Sequence, residues 1–328
     1  MRAFFVSRPG ELRRTERDVP EPGTGQVLVR ISCCGVCRTD LHLLDGDLPP
    51  RHPGITPGHE IVGRVEASGS GAERFAVGAR VGVAWLGATD GSCRFCRRGA
   101  ENLCLAPTFT GWDRNGGYAD FCLADEAYAY PLPEGIGDEQ VAPLLCAGII
   151  GYRALRQADL RPGCRLGLYG FGSSAHIAIQ VARHFGCRVY VMTRGERHQA
   201  LARELGAAWA GPADAKPPEP LDSAVLFAPV GELVLPALEA LDMGGTLAIA
   251  GIHLSDVPIL NYQRHLFHEK TLRSVTTNTR RDGDELFKLA AEIPLQPKTT
   301  TFPLVDANLA LRQLKRDAIA GSGVLEPS

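Results

Sequence analysis

The chain has 328 residues, of which 45% are hydrophobic and 22% charged, and its formal net charge is −2. These values are typical of a globular protein with two domains, and the balanced charge argues against nucleic acid or an anionic membrane as a partner. The N-terminus carries no signal-peptide pattern, and no stretch approaches the ~18 apolar residues of a membrane span. We therefore expect a cytoplasmic protein whose ten cysteines are metal ligands or buried thiols rather than disulfides.

The first part of the chain predicts a β-rich domain. Short apolar segments separated by Gly and Pro are typical of strands in a compact, barrel-like domain with long functional loops. A helical turn is predicted over 38–44. The clearest predicted strands cover residues 26–31, 60–65, 79–85 and 118–124.

From about residue 147 the pattern changes to alternating helices and strands, which indicates an α/β domain with a doubly wound parallel sheet. Gly206 is predicted to end one of the helices. The predicted helices cover 146–160, 173–185, 196–205 and 232–241, and the predicted strands cover 165–169, 188–192, 223–227, 246–250 and 272–275.

A glycine-rich turn follows the strand predicted at 165–169 and opens the next helix. In Gly170-Phe-Gly172-Ser173-Ser174-Ala175, the first glycine permits a tight turn and the second lets a pyrophosphate approach the backbone. The phosphate would face the helix N-terminus, where backbone N–H groups are free. The motif alone is a weak signal, since it also occurs as a plain tight turn, but the surrounding βαβ pattern favours a nicotinamide dinucleotide.

The end of the next predicted strand bears on which dinucleotide is bound. An acidic residue there would accept hydrogen bonds from the adenosine ribose and favour NAD, but this chain has Thr193 and Arg194, with Arg197 nearby. A hydroxyl and guanidinium groups suit a 2′-phosphate, so the sequence favours NADP(H) over NAD(H). If Arg194 is only a solvated surface residue, nothing in this strand selects the cofactor.

Three closely spaced cysteines indicate a structural zinc site. Cys93, Cys96 and Cys104 have spacings typical of a closed site, and Asp90 could provide the fourth ligand through a carboxylate oxygen. The alternative is an empty site with three reduced thiols.

A second candidate metal set lies on three separate segments: Cys37, His59 and Cys146. Two thiols and an imidazole are ligands that zinc accepts, and three protein ligands leave one position open for chemistry. Spacing alone does not prove that the three converge. His59 could be a hydrogen-bonded structural histidine, and Cys146 could be a small buried hydrophobic residue.

Together these motifs resemble the zinc-dependent medium-chain alcohol dehydrogenases over essentially the whole chain. The matching segments occur in the family's order: 35–42, 58–60, the cysteine lobe, 116–120, 146–148 and 170–172. The resemblance implies a β-rich GroES-like catalytic domain at 1–147, completed by 276–328, and a Rossmann dinucleotide-binding domain at 148–275. It also implies a homodimer or homotetramer.

The resemblance further implies a role for each matched residue. Cys37, His59 and Cys146 would hold a catalytic zinc, which acts as a Lewis acid on the substrate oxygen while the nicotinamide carries the hydride. Asp40 would orient the imidazole of His59, and Glu60 would be a further group beside the zinc.

Other roles follow from the helix that begins after Cys37. Thr39 would bind the substrate oxygen and pass its proton through the nicotinamide ribose to His42 at the surface. The two residues are three apart, so one helix face presents both. Arg38 would contact the pyrophosphate. The alternative for His42 is a solvent-exposed helix residue without a role.

By their position in the match, Trp85, Leu86 and Trp112 would line the substrate pocket; the alternative is core packing. An apolar, aromatic-walled slot would prefer uncharged aliphatic or aromatic alcohols and aldehydes. Two other functions stay open: a zinc-free quinone or enone reductase of the same fold, which the complete ligand set speaks against, and a non-enzymatic cofactor-binding protein, in which a Thr39–His42 relay would have no purpose.

Overall fold

The computed structural model describes residues 1–293, 295–319 and 321–327. The chain divides into two compact units. The first unit combines Met1–Cys146 with Thr277–Ser328, and the second unit is Ala147–Thr276. Within the described ranges, no helix combines the length and the apolar character that crossing a bilayer demands.

The N-terminal part of the first unit is mostly β structure, interrupted by two helices and by short 3₁₀ turns. The strands are β1 (Arg2–Arg8), β2 (Glu11–Glu16), β3 (Gln26–Val36), β4 (Ile61–Ser68), β5 (Arg80–Val83), β6 (Leu86–Ala88), β7 (Thr108–Phe109), β8 (Phe121–Asp125) and β9 (Ala129–Pro131). The helices are α1 (Arg38–Asp45) and α2 (Asp138–Val141).

The second unit alternates helices with parallel strands. Its helices are α3 (Ala147–Gln157), α4 (Ser173–His184), α5 (Glu196–Glu204), α6 (Val234–Ala240) and α7 (Tyr262–His265). Its strands are β10 (Arg165–Tyr169), β11 (Arg188–Met192), β12 (Trp209–Gly211), β13 (Leu221–Leu226), β14 (Leu241–Ile249) and β15 (Thr271–Ser274).

The chain then returns to the first unit with α8 (Arg280–Glu292), β16 (Thr299–Pro303), α9 (Ala307–Lys315) and β17 (Ser322–Glu326). These last strands extend the main sheet of that unit, whose order is β16-β17-β3-β4-β5-β9, with β8 also paired to β3. Strands β16 and β17 are parallel, and the other pairs are antiparallel. Buried apolar side chains from the sheet and α9, such as Val29, Ile61 and Leu311, form the core.

The sheet of the second unit has the order β12-β11-β10-β13-β14-β15, and all its pairs are parallel. This is the strand order of a doubly wound dinucleotide-binding fold. Strands β10, β11 and β13 are almost entirely buried, as expected when helices cover both faces of a parallel sheet. The predicted fold class, a β-rich unit with a doubly wound α/β unit, is therefore confirmed.

Element boundaries differ from the predictions mainly where long-range pairing extends a strand. Strand β3 runs five residues beyond the predicted end, because β17 and β4 pair with the Cys33–Val36 end. Strand β14 begins at Leu241, not at residue 246, because a register shift against β13 accommodates Gly244 and Gly245. Gly206 follows α5 at φ +88°, which agrees with its predicted role as the end of that helix.

Candidate metal centre and cofactor site

The end of β3 and the start of β4 bring Cys37 and His59 together. Cys34 pairs with Ile61 across the two strands, and the Gly35 N–H donates to the Glu60 carbonyl at 2.9 Å. Cys37 follows β3 and is the N-cap of α1, whereas His59 and Glu60 directly precede β4. Antiparallel pairing therefore fixes two segments that are more than twenty residues apart in the sequence.

Cys146 completes the cluster from a third segment. It caps the 3₁₀ turn Ala142–Leu145, just before α3 begins. The Sγ atoms of Cys37 and Cys146 lie 3.7 Å apart. One ligand atom each from Cys37, His59, Glu60 and Cys146 fits within a mutual distance of 4.8 Å. Two thiols, one imidazole and one carboxylate at this separation could surround a single zinc ion.

Several buried polar atoms in this cluster have no hydrogen-bond partner within the described structure. They are both ring nitrogens of His59 and Oε2 of Glu60. His59 and Glu60 are 1% and 2% exposed, so water does not compensate for these atoms. Unsatisfied donors and acceptors aimed into one cluster fit a metal ion that coordinates them.

The pKa shifts of the cluster residues also favour the binding of a metal cation. Hydrogen bonding to Cys146 holds the pKa of Cys37 well below its usual range, while that same contact raises the pKa of Cys146. Burial raises the pKa of Glu60 well above its usual value. Burial would lower the pKa of His59, but Asp40 and the Cys37 sulfur outweigh it and raise the pKa. One thiolate is thus already favoured, and a cation would stabilise the second thiolate and the carboxylate.

Asp40 is the hydrogen-bond centre behind the cluster. Its carboxylate accepts from the backbone N–H of Cys37 at 2.9 Å, from the N–H of Gly58 at 3.2 Å and from the Tyr118 hydroxyl at 3.1 Å. Its Oδ1 also lies 3.4 Å from Nδ1 of His59, although the alignment is too poor for a hydrogen bond. The carboxylate therefore fixes the helix that carries Cys37 and faces the histidine ring.

Thr39 and His42 lie on α1 at different depths. Thr39 is buried, and its hydroxyl is 3.7 Å from Sγ of Cys37. His42 is partly exposed, and its Nδ1 lies 3.2 Å from a carboxylate oxygen of Asp47. Arg38, at the first position of α1, is exposed. The helix thus connects a hydroxyl beside the cluster with an imidazole that meets solvent.

An aromatic wall stands next to His59. The Trp85 ring meets the His59 ring edge to face at 4.9 Å and stacks on Phe109 at 4.9 Å. Trp112 stacks on both Trp85 and Phe109, at 6.0 and 5.8 Å. Leu86, by contrast, is packed in a buried cluster with Ala88 and Tyr128. The remaining pocket candidates are Trp85, which contacts His59, and Trp112, which stacks on Trp85.

The cysteine lobe forms a second cluster. Ligand atoms of Asp90, Cys93, Cys96 and Cys104 lie within 4.8 Å of one another. The Asp90 carboxylate accepts the N–H groups of Cys93 and Ser92 at 2.8 Å, which lowers the pKa of Asp90 to about 2. Asp90 therefore stays ionised at any physiological pH and can act as an oxygen ligand.

The glycine turn lies between β10 and α4 as predicted from the motif. Gly170 has φ +87°, and a Cβ there would come within 2.9 Å of the Ala228 nitrogen. Gly172 is the N-cap of α4, and a Cβ at this residue would meet no described atom within 4 Å. Ser173 and Ser174 form the first positions of that helix. Open space beside the first turn of α4 leaves room for a phosphate group.

The residues expected to select the cofactor follow β11. Thr193 is buried and accepts a hydrogen bond from Gln199 on its carbonyl. Arg194 and Arg197 are exposed, and within the described part of the chain neither guanidinium makes an ion pair. Two unpaired cations therefore flank the end of this strand.

Three contributors to the sites were not predicted: Gly35, Phe109 and Tyr118. A Cβ on Gly35 would overlap the Glu60 carboxylate, so only glycine leaves room for it. Phe109 stacks on both tryptophans, and Tyr118 reaches Asp40 from 78 residues away. Gly35 and Tyr118 lie within the matched segments 35–42 and 116–120, but their roles depend on long-range contacts that the sequence does not show.

Comparisons with known proteins agree with this architecture. A family model described as alcohol dehydrogenase GroES-like domain matches residues 23–134, and one described as zinc-binding dehydrogenase matches residues 175–292. The chain is 54% identical to the probable alcohol dehydrogenase AdhA of Mycobacterium tuberculosis (strain CDC 1551 / Oshkosh), over 99% of this chain and 97% of the relative. It is 33% identical to an alcohol dehydrogenase of Geobacillus stearothermophilus, over 96% and 95% of the two chains.

Among solved structures, acetophenone reductase from Geotrichum candidum NBRC 4597 in complex with NAD matches with a TM-score of 0.88 at 27% identity. The match covers 99% of this chain and 96% of the reductase. The resemblance inferred from the motifs is thereby confirmed. The chain belongs to the zinc-type medium-chain dehydrogenase/reductase family and is an NAD(P)-dependent alcohol dehydrogenase.

Proposed function

We propose that this enzyme is a zinc-dependent alcohol dehydrogenase that favours NADP(H) and interconverts aromatic or aliphatic alcohols with their aldehydes. The observation that carries the proposal is the cluster of Cys37, His59, Glu60 and Cys146, in which the buried His59 and Glu60 have unsatisfied polar atoms. When bound, zinc supplies Lewis-acid polarisation of the substrate oxygen, and the nicotinamide supplies or accepts the hydride.

Four side chains of the cluster and Asp40 would bind and orient the metal site. Cys37, His59 and Cys146 would hold the ion, and the Glu60 carboxylate lies close enough to serve as an additional oxygen ligand. Asp40 would keep the His59 ring in a ligating orientation.

Thr39 and His42 would handle the proton. The Thr39 hydroxyl, buried beside the cluster, would hydrogen-bond the substrate oxygen and hold its proton. His42 is three residues further on α1 and partly exposed, so it would exchange that proton with solvent. The different burial of the two side chains supports a path from the site to the surface.

Cofactor choice would depend on the end of β11. The Thr193 hydroxyl and the exposed Arg194 and Arg197 suit a 2′-phosphate, and no acidic side chain occupies the ribose-binding position. Arg38, Gly170, Gly172, Ser173 and Ser174 would contact the phosphates of the cofactor. The test is the KM for NADPH against that for NADH. Arg194→Ala should raise the KM for NADPH at least tenfold more than that for NADH, and a native preference for NADH would contradict the proposal.

Substrates would lie along the aromatic wall. Trp85 contacts His59 directly, and Trp112 extends the apolar surface, so flat or aliphatic groups would be bound more favourably than polyols. Leu86 would contribute only from behind this wall. The solved acetophenone reductase, a relative of the same fold, acts by name on an aromatic ketone.

The lobe of Asp90, Cys93, Cys96 and Cys104 would hold a second, structural zinc. Three thiols and a carboxylate within 4.8 Å of one another match the four ligands of a closed zinc site. The family resemblance also implies a homodimer or homotetramer, which light scattering on the purified enzyme would test.

Metal analysis of two variants, with an NADPH-linked benzaldehyde reduction assay, tests the whole proposal. The two clusters predict two zinc ions per native chain. Cys37→Ala should lose one ion and all activity, whereas Cys104→Ala should lose one ion and retain activity. Cys122→Ser, which changes a buried thiol outside both clusters, is the matched control.

Two outcomes would identify the rival functions. Turnover of enones or quinones by a protein without zinc would indicate a zinc-free reductase. Bound zinc and cofactor without turnover of any alcohol or aldehyde would indicate a binding protein.

A further inference from the structure

A third pair of thiols, Cys164 and Cys187, lies in the second unit away from the glycine turn. Cys164 directly precedes β10, and Cys187 directly precedes β11. The register of these parallel strands starts with Arg165 opposite Arg188, so the cysteines are neighbours one position earlier. The Arg188 N–H donates to the Cys164 carbonyl at 2.9 Å, and the two Sγ atoms are 3.4 Å apart.

Metal binding does not account for this pair. Among the described residues, potential ligands converge in two groups, and neither contains Cys164 or Cys187. Two thiol pairs within those groups are farther apart, at 3.7 Å for Cys37 with Cys146 and 3.6 Å for Cys93 with Cys96. The second unit therefore contains a dithiol that the proposed reaction does not use.

We propose that Cys164 and Cys187 are a site of reversible oxidative modification, at which hydrogen peroxide converts the two thiols into an intramolecular disulfide. One thiol attacks the peroxide, which releases water and leaves a sulfenic acid. The second thiol then attacks that sulfur, the S–S bond forms and a second water leaves. The thiols lose two electrons and two protons in total, and the peroxide is reduced to two water molecules.

The spacing of paired strands is compatible with this bond. Neighbouring strands lie about 4.8 Å apart, which falls within the ~4.4–6.8 Å Cα separation that disulfides require. Small rotations of the two side chains would close the remaining gap between the sulfur atoms. The bond would thus form in the folded protein.

Access to the pair runs through two surface turns. Both cysteines are buried, yet the residues before each of them, 161–163 and 183–186, are exposed. Burial raises the pKa of Cys164 to about 12, so the thiolate fraction is small and the reaction should be slow. Once a small oxidant has reacted with one sulfur, the second sulfur is already close enough to attack it, at 3.4 Å.

The disulfide would join the starts of β10 and β11, the two strands that α4 connects in the chain. It would lie at the opposite end of β10 from Gly170. Cross-linking residues 23 apart restricts the unfolded chain, so the oxidised protein should melt about 5 °C higher. The KM for the cofactor should not change, because the bond lies away from the glycine turn. Neither Cys164 nor Cys187 belongs to the candidate metal centre or to the glycine turn.

Peptide mapping tests the proposal directly. The metal-loaded enzyme is treated with hydrogen peroxide and then unfolded in urea with iodoacetamide present to alkylate the free thiols. It is then digested with trypsin. We expect residues 157–165 joined to 184–188, at the combined mass of the two peptides less two hydrogen atoms, and separated again by dithiothreitol. Both peptides recovered singly, whether alkylated or oxidised to sulfinic acid, would overturn the proposal.

Variants provide the stability readout. In Cys187→Ser, peroxide should leave Tm unchanged, whereas the native enzyme and Cys122→Ser should both gain the shift. An equal shift in Cys187→Ser would contradict the proposed bond. The peptide map of the native enzyme is decisive even if Cys187→Ser folds poorly.

Discussion

Gly35 makes room for Glu60. A Cβ at residue 35 would overlap the Glu60 carboxylate, and the Gly35 N–H donates to the Glu60 carbonyl at 2.9 Å. The two residues therefore lie face to face on paired segments, and the absence of a side chain on one lets the other place an oxygen in the cluster. A glycine near the end of β3 thus shapes the candidate metal centre, although it has no ligand atom.

Gly35→Ala should displace the Glu60 carboxylate from the cluster. Overpacking of this kind costs about 1–3 kcal/mol of stability, and we expect lower zinc occupancy with it. Urea unfolding and metal analysis would measure the two effects. The control is Gly23→Ala, where the nearest atom to a new Cβ is the flexible Gln26 Oε1 at 3.2 Å. Full zinc retention in Gly35→Ala would show that the carboxylate position is irrelevant to the metal.

Asp40→Asn should weaken zinc binding about 10- to 100-fold, because the neutral amide would no longer complement the His59 ring and the Cys37 N–H. Competition with a chelator of known affinity would measure the loss. Tyr118→Phe removes one donor to Asp40 but keeps the charge, so it should cost about 1 kcal/mol of stability and leave zinc affinity nearly unchanged. Equal zinc affinities in Asp40→Asn and the native enzyme would refute the role of the carboxylate.

Trp85→Leu should alter substrate selection more than turnover. The lost ring contacts are worth about 1 kcal/mol, so the KM for benzaldehyde should rise about 5- to 10-fold, with a smaller change for acetaldehyde. Steady-state kinetics with both aldehydes would measure the difference. Trp209→Leu, on β12 in the second unit, controls for the general effect of removing an indole. If Trp85→Leu raised the KM for benzaldehyde and the KM for acetaldehyde by the same factor, contact between Trp85 and the substrate would be contradicted.

The pair of Arg2 and Asp120 predicts how stability depends on pH. Burial would raise the pKa of Asp120, but the hydrogen bonds and charge of Arg2 outweigh it and lower the pKa. A carboxylate with a lowered folded pKa stabilises the protein above its unfolded pKa, about 3.9, and this contribution disappears as the pH falls through the folded value.

Asp120→Asn should therefore be less stable than the native enzyme by about 1–2 kcal/mol near neutral pH. The difference should shrink as the pH falls below about 4, because the native carboxyl also becomes protonated. Chemical unfolding at a series of pH values would measure it. A difference that does not change between neutral and acidic pH would indicate a steric effect of the substitution.

Local patterns in the sequence predicted most of the α/β unit, although β12 and α7 were not predicted. Strands β10 and β11 have the predicted bounds, because continuous apolar runs flanked by glycine leave few alternatives. The start of α4 also agrees, since the glycine turn fixes where the helix begins. In contrast, β1 and β2 were not predicted, because their charged residues hide the alternation and they are stabilised by pairing with each other.

In the candidate sites, too, the residue types could be predicted from local sequence, whereas their spatial arrangement could not. Cys37, His59 and Cys146 were recognisable as ligand types, but their convergence depends on strand pairing that no local pattern describes. The inclusion of Glu60 among possible ligands depends on the space at Gly35. Phe109 completes the aromatic stack only because β7 pairs with β6 beside Trp85.

The start of α1 is held in place by the Asp40 carboxylate. Asp40 holds the Cys37 N–H and faces His59 through contacts made entirely by protein groups. Asp40 therefore fixes the backbone at residues 37 and 58 without using a cysteine sulfur. In a Cys37→Ala variant, the amides of residues 37 and 58 should accordingly keep the slow hydrogen exchange that they show in the native enzyme.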